Sequence, residues 1–340
     1  MMNTLFHNAL QRKAQAVPPI WFMRQAGRYH QHYQGLRAKH SFDQLCKIPE
    51  LAAQVALGPV AEFDFDVSIL FSDILYPLEA LGMGLEYTDH GPQLGFKLNP
   101  ESISKLGEVA PAIEFMNFQK EAVKATREVL PKNKSLIGFV GGLWTLFVYA
   151  VEGSHAGSLI QSKTLIQLFP KFLEKMYPLI KENIRLQLEG GVEIVMIFDT
   201  AAGEVSPLFF KEWIQPVIAN LAKEFPGKIG YYSKGTQPTF FNQEFTALPW
   251  AGQGFDHRCY IPECFKIQDK GFVQGNFDQS LLFMDGGDFK KAVANFLAPM
   301  KEMSPEQRAG WVCGLGHGVL PKTPEKNVKL FIDTVREVLS

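Results

Sequence analysis

Eight short apolar or β-rich segments alternate with longer stretches at helical spacing, which predicts an α/β protein: a (β/α)8 TIM barrel in a single domain spanning 1–340. Three observations carry this. Strands that alternate with helices build a parallel sheet. Several strand segments are near-continuous apolar runs, as expected where both faces of a strand are buried. No internal repeat, low-complexity tract, charge block or linker divides the chain. A doubly wound open sheet is the alternative architecture for the same pattern.

The predicted strands are, in order, Pro19–Met23, Val67–Phe71, Leu136–Val140, Glu193–Phe198, Lys228–Tyr232, Gly252–Asp256, Gly271–Gly275 and Trp311–Leu315. Helical spacing covers Phe42–Phe63, Ile113–Val129, Leu165–Glu189, Leu208–Glu224, Phe289–Met303 and Pro324–Leu339. The segment Leu85–Leu98, rich in Gly, Pro, Asp and His, is expected to be an insertion after the second strand, in the form of a hairpin.

With 46% apolar and 20% charged residues the chain can bury a sizeable core. A net charge of −1 gives no global field for nucleic acid or an anionic membrane, so any anion site must be local. The four cysteines, Cys46, Cys259, Cys264 and Cys313, are scattered, as expected for reduced thiols in the cytosol. The N-terminal residues lack the pattern of a secretory signal, and the uncharged run Ser135 to Val151 is short for a membrane span. No nucleic-acid or membrane partner is expected.

The polar residues that follow the strands are more informative. They are Arg24, Gln25 and Arg28 after the first, Ser72 and Asp73 after the second, and Trp144 and Tyr149 after the third. Asp199 and Thr200 follow the fourth, Ser233-Lys234-Gly235 the fifth, and Asp256 lies in the sixth. Asn276 follows the seventh and Gly316-His317-Gly318 the eighth. In a barrel these strand ends open onto one face, where active sites form. Arg24 and Arg28, four apart with Arg37 nearby, present guanidinium forks suited to a polyanion bearing carboxylate or phosphate. Gly27 allows close backbone approach to a ligand. Asp73 offers a fixed acceptor or a counter-charge for a cationic intermediate. His317, between two glycines, has room for ligand contact, and the surrounding glycines lack the ending of a P-loop. His257, Cys259 and Cys313 together form a weak zinc-like pattern, and no metal is expected.

Met23-Arg24-Gln25-Ala26-Gly27-Arg28-Tyr29 resembles the N-terminal signature of uroporphyrinogen decarboxylases. Ordered companions extend the resemblance over nearly the whole chain: Phe71-Ser72-Asp73-Ile74-Leu75, Trp144-Thr145-Leu146 with Tyr149, Val151-Glu152-Gly153, Ile197-Phe198-Asp199-Thr200, Gln274-Gly275-Asn276 before Asp278, and Leu315-Gly316-His317-Gly318. The resemblance implies a barrel enzyme, a homodimer with facing clefts, that converts uroporphyrinogen III to coproporphyrinogen III with loss of four CO2 and no cofactor. It implies substrate binding by Arg24, Gln25, Ala26, Gly27 and Arg28, and by Asp73, Tyr149, Thr200 and His317. Asp73, Arg37, Tyr149 and His317 are the residues it implies for catalysis. The chain departs from the family pattern at His30-Gln31-His32, Gly142-Leu143, Ala201 and His257.

The chemistry suits these residues. Arginines match the eight carboxylates of the substrate, and one buried acceptor, Asp73, matches four converging pyrrole N–H groups. Protonation of the pyrrole carbon makes the ring its own electron sink, so no cofactor motif is required. His317, with an ordinary pKa near 6.5, and Tyr149 are assigned to positioning first and proton transfer second. Two competing readings are a zinc methyltransferase of related fold and a porphyrin-binding protein without activity. The methyltransferase needs a His-x-Cys site near the fifth strand, where this chain has Tyr231-Tyr232-Ser233-Lys234-Gly235.

Overall fold

The computed structural model describes residues 2–88 and 91–340. Seven parallel strands form one sheet: β1 (Val67–Ile69), β4 (Ser135–Gly141), β5 (Val195–Asp199), β6 (Ile229–Ser233), β7 (Gly252–Gly254), β8 (Phe272–Phe277) and β9 (Trp311–Leu315). They lie in that spatial order. A separate antiparallel hairpin pairs β2 (Glu86–Thr88) with β3 (Gly91–Gln93), within the predicted insertion. Its Asp89 and His90 lie outside the described residues.

The first predicted strand, Pro19–Met23, is not a regular strand. It forms a single parallel bridge, Ile20 to Cys313 in β9. Cys313 N–H donates to the Pro19 carbonyl at 2.9 Å, and Asp66 N–H, just before β1, donates to the Ile20 carbonyl at 3.0 Å. The segment therefore touches both edges of the sheet. Its ladder is short for a physical reason. Pro18 and Pro19 have no N–H, and the Ile20 N–H is taken at 2.9 Å by the Asp66 carboxylate instead of a neighbouring carbonyl. That carboxylate is buried, which pushes its pKa up, and the nearby Arg336 and Lys134 offset part of the effect.

The sheet strands from β4 to β9 are buried along their whole length, as parallel strands covered on both faces require. Gly230 and Gly252 leave the space that the Phe272 ring fills. Helices lie between the strands. The predicted helix 42–63 is two, Phe42–Lys47 and Pro49–Phe63, because Pro49 disfavours helical geometry at Ile48, which is extended. The first of the pair opens with a Ser41–Gln44 capping box, in which each side chain accepts from the other residue's backbone N–H. The predicted helix 208–224 contains a π turn at Phe210–Ile214, ahead of Pro216. Phe169–Gly190, Gly286–Glu302 and Glu325–Leu339 follow the predicted spans closely. No helix among the described residues is long and apolar enough to cross a membrane. Because the sheet strands are parallel, their C-terminal ends and the loops after them share one side of the molecule.

Candidate active site

The loop after Met23 is shaped by its own buried glutamine. Gln25 is 1% exposed. Its Oε1 accepts the Phe22 N–H at 3.2 Å and its Nε2 donates to the Val67 carbonyl at 3.1 Å, tying this loop to β1. The side chain predicted to bind substrate is thus consumed by the protein backbone. Tyr29 closes the loop by donating its hydroxyl to the Gln25 carbonyl at 2.8 Å. Arg24 adopts a left-handed backbone, φ 61°, a conformation that costs a non-glycine residue about 1–2 kcal/mol. Its side chain crosses Gly318, where an added Cβ would fall 2.5 Å from Arg24 Cδ. Gly318 therefore makes room for the arginine, and Gly316 for His257, whose backbone N an added Cβ would meet at 2.4 Å. Ala26 and Gly27 are half-buried beside it.

The Arg24 charge acts on Asp73, Tyr149, Tyr232, His155 and His317 together. Residues distant in sequence are thus near enough to feel one charge. Among the described residues Arg24 forms no ion pair with a carboxylate. Asp73 is half-buried, and its Oδ1 accepts the Leu75 N–H at 2.9 Å. Burial raises its pKa, and the Leu75 N–H and Arg24 favour the anion. The Tyr87 hydroxyl also favours the anion, although it lacks a partner of good hydrogen-bond geometry.

Tyr149 lies in the last turn of helix Leu143–Glu152. Its Oη is 2.6 Å from His155 Nδ1. Burial and the Asp73 charge push the phenol up to about 12, so it stays protonated. His317 is 8% exposed. Its Nδ1 is 3.0 Å from the Tyr232 hydroxyl, which itself donates to the Gly316 carbonyl at 2.7 Å. The two rings stack with centroids 6.0 Å apart. Burial, then Arg24 and Lys234, drive the His317 pKa down to about 3. This imidazole is neutral at neutral pH, which removes the ready proton expected from its ordinary pKa.

The remaining predicted residues divide by role. Arg28 and Arg37 are exposed and act together on Tyr33, whose ring packs 5.7 Å from Phe71, two residues beyond β1. Arg37 also donates to the His40 carbonyl at 2.6 Å. Thr200 is half-buried at the end of β5. Its neighbour Asp199 is a buried anchor. Asp199 Oδ1 accepts the Thr145 hydroxyl at 2.6 Å and the Thr145 N–H at 3.1 Å, and Oδ2 accepts the Tyr231 hydroxyl at 3.2 Å. Gly142 permits this, since a Cβ there would meet Asp199 Cγ at 2.4 Å. Asp256 is likewise structural: its carboxylate accepts the Gly235 N–H and the backbone N–H and guanidinium of Arg258. Trp144 is core, donating its indole N–H to the Ala201 carbonyl at 3.3 Å.

Lys234 and His155 also act on His317. Lys234 follows β6, where its strand-end position was visible but its role was not. His155 lies in an irregular loop with no periodic signal. Among the described residues, the one group of metal-ligand type is His30, Glu62 and Glu325; His257, Cys259 and Cys313 form no such group. In that cluster His30 Nε2 meets Glu62 at 2.7 Å and Glu325 accepts the Gln31 N–H, so the protein already uses these atoms.

Comparison with known proteins identifies the family of the whole chain. The family described as "Uroporphyrinogen decarboxylase (URO-D)" matches residues 1–338. A uroporphyrinogen decarboxylase from Chlorobium phaeobacteroides is 32% identical, covering 99% of this chain and 98% of the relative. One from Neisseria meningitidis is 33% identical over 99% of this chain and 97% of its own length. Among solved structures, a methyltransferase from Methanosarcina mazei superposes with a TM-score of 0.76 at 18% identity, over 99% of this chain and 100% of that one, which is a likeness of fold. The chain belongs to the uroporphyrinogen decarboxylase family.

Proposed function

We propose that this protein is a carboxy-lyase that converts uroporphyrinogen III to coproporphyrinogen III, releasing four CO2 from the acetate arms during tetrapyrrole (haem) synthesis. The observation that carries the reading is that Arg24, which has no carboxylate partner among the described residues, acts together on Asp73, Tyr149 and His317 within a full-length family match. An acid-rich macrocycle would supply carboxylates to this arginine. Arg28 and Arg37, beside Tyr33, would receive the outlying arms at the rim.

Asp73 would face the pyrrole nitrogens. Protonation of the ring carbon beside an acetate arm gives a cationic ring, and loss of CO2 returns the bond electrons to that ring. An ionised Asp73 stabilises the cation more than the neutral ground state, and that differential speeds the step. A fixed electrostatic partner of this kind is typically worth about 3–4 kcal/mol. With His317 neutral and Tyr149 protonated, both serve as hydrogen-bond partners for the substrate instead of stores of an easily released proton. Thr200 would complete the wall at the end of β5. Because the ring is the electron sink, the reading requires no metal or organic cofactor.

The same reading makes residues 19–23 the eighth stave of a closed (β/α)8 barrel in one domain. Its support is the set of backbone bonds from this segment to both sheet edges. The reading also carries a cytosolic homodimer with facing clefts; sedimentation of the purified protein tests the dimer. The activity is tested by incubating the protein with uroporphyrinogen III, without added metal, and following the seven-, six-, five- and four-carboxylate products by chromatography. Stepwise appearance of these products is expected, and an unchanged substrate would overturn the assignment.

A further inference from the structure

We infer that His155 is a positioning residue for this reaction, fixing the direction of the Tyr149 hydroxyl through the 2.6 Å contact between His155 Nδ1 and Tyr149 Oη. The inference rests on the decarboxylase reading of the cleft. The local chain is built to make the contact. Helix Leu143–Glu152 ends at Gly153 in a left-handed conformation, φ 81°, which turns the chain back on the helix. The His155 ring then lies over the Tyr149 ring, centroids 5.2 Å apart and planes at 46°. Beyond it, Glu152 Oε1 accepts the Ser162 N–H at 2.9 Å and its hydroxyl at 3.2 Å, so both ends of the loop are tied to one helix turn.

The charges that face His155 come from several elements. Arg24 reaches it from the N-terminal loop, Lys234 from the end of β6 and Glu204 from beyond β5, while His155 in turn acts on His317 after β9. Burial, Lys234 and Arg24 lower its pKa, and Glu204 opposes them. The imidazole is therefore neutral and carries one N–H. With that hydrogen on Nδ1, it donates to Tyr149 Oη, and the phenol hydrogen is left to point into the cleft. Tyr149 then presents a donor to a substrate carboxylate in one orientation. Without His155 the hydroxyl rotates, and Asp73 or water competes for its hydrogen.

The test uses His155→Phe, which keeps a ring but no polar atom, and His155→Asn, whose amide nitrogen occupies a place similar to that of Nδ1. Each is made in the parent and in Tyr149→Phe. We expect His155→Phe to lower kcat about tenfold, the scale of one lost hydrogen bond, with KM changed less than about twofold. His155→Asn should recover most of the loss, and His155→Phe should cost nothing further in Tyr149→Phe. An equal loss in the Tyr149→Phe background overturns the proposal. A second readout does not depend on turnover: the Tyr149 ring-carbon NMR signal, assigned by its disappearance in Tyr149→Phe. It should shift in His155→Phe and return in His155→Asn, and an unmoved signal overturns the proposal. Should the parent protein fail to decarboxylate uroporphyrinogen, the functional reading falls while the NMR measurement still decides whether His155 holds Tyr149.

Discussion

Asp73 and Asp199 occupy equivalent places in the fold and do different work. Each carboxylate stands at or just beyond the C-terminal end of a sheet strand, and burial raises the pKa of both. Asp199 spends both oxygens inside the protein, on Thr145 and Tyr231. Asp73 spends one oxygen on the Leu75 N–H and feels the charge of Arg24, which forms no ion pair with a carboxylate among the described residues. A buried acceptor that is fully satisfied holds the fold together. A half-satisfied one, beside a cation that forms no ion pair among the described residues, has capacity left for a ligand. The contrast separates a carboxylate with capacity to spare from an anchoring one, although their surrounding sequences, Phe71-Ser72-Asp73 and Ile197-Phe198-Asp199, look alike.

The largest effect should come from Asp73→Asn. It keeps the shape and removes the charge, and kcat should fall by about 10²–10³, while the melting temperature stays within about 2 °C. Near-normal kcat would erase the distinction between the two aspartates. Arg24→Lys comes next. A lysine cannot reproduce the planar two-point grip, so kcat/KM should drop roughly tenfold or more, checked by steady-state kinetics with uroporphyrinogen III.

Asp199→Asn should reverse the pattern. It disturbs three hydrogen bonds, so a loss of about 1–3 kcal/mol is expected, seen as a melting point lower by about 2–6 °C, with kcat changed less than about threefold. The loss should also depend on pH. The folded pKa of Asp199, about 6, lies above its ordinary value. Its contribution is full below that ordinary value and fades as pH rises through about 6. Calorimetry should therefore find parent and variant furthest apart below about pH 4 and closest at pH 8.

The smallest effect concerns His317. With a pKa of about 3 in the folded protein, it should show no titration between pH 5 and 8 in its ring-proton NMR signals. Its stability contribution is present above the ordinary histidine value and is lost as pH falls from there toward about 3. A His317 midpoint near 6.5 in the folded state would restore it as a proton carrier.

Much of the scaffold was legible from local pattern. Continuous apolar runs located the buried strands, and proline positions explain where helix 42–63 divides and where helix 208–224 opens into a π turn. The first strand was less legible, because the fate of the Ile20 N–H depends on Asp66, which comes from a different part of the chain. The candidate site was legible as a set of residues after strands, since parallel strands deliver their ends to one side. Its division of labour was not. Gln25 looks like part of an anion-binding signature but ties two backbone segments together. His317 looks like a proton donor but is held neutral by burial beside Arg24 and Lys234.

By itself the sequence determined the alternation of elements, the parallel sheet and the family, because these depend on periodicity and on motifs contiguous in the chain. Only the tertiary structure decided which aspartate keeps an open oxygen, that Lys234 and His155 act on His317, and that Tyr149 has a partner beyond its own helix. Hydrogen-bond satisfaction and the solvation of a charge depend on groups brought together across the chain, and no local pattern records those distances.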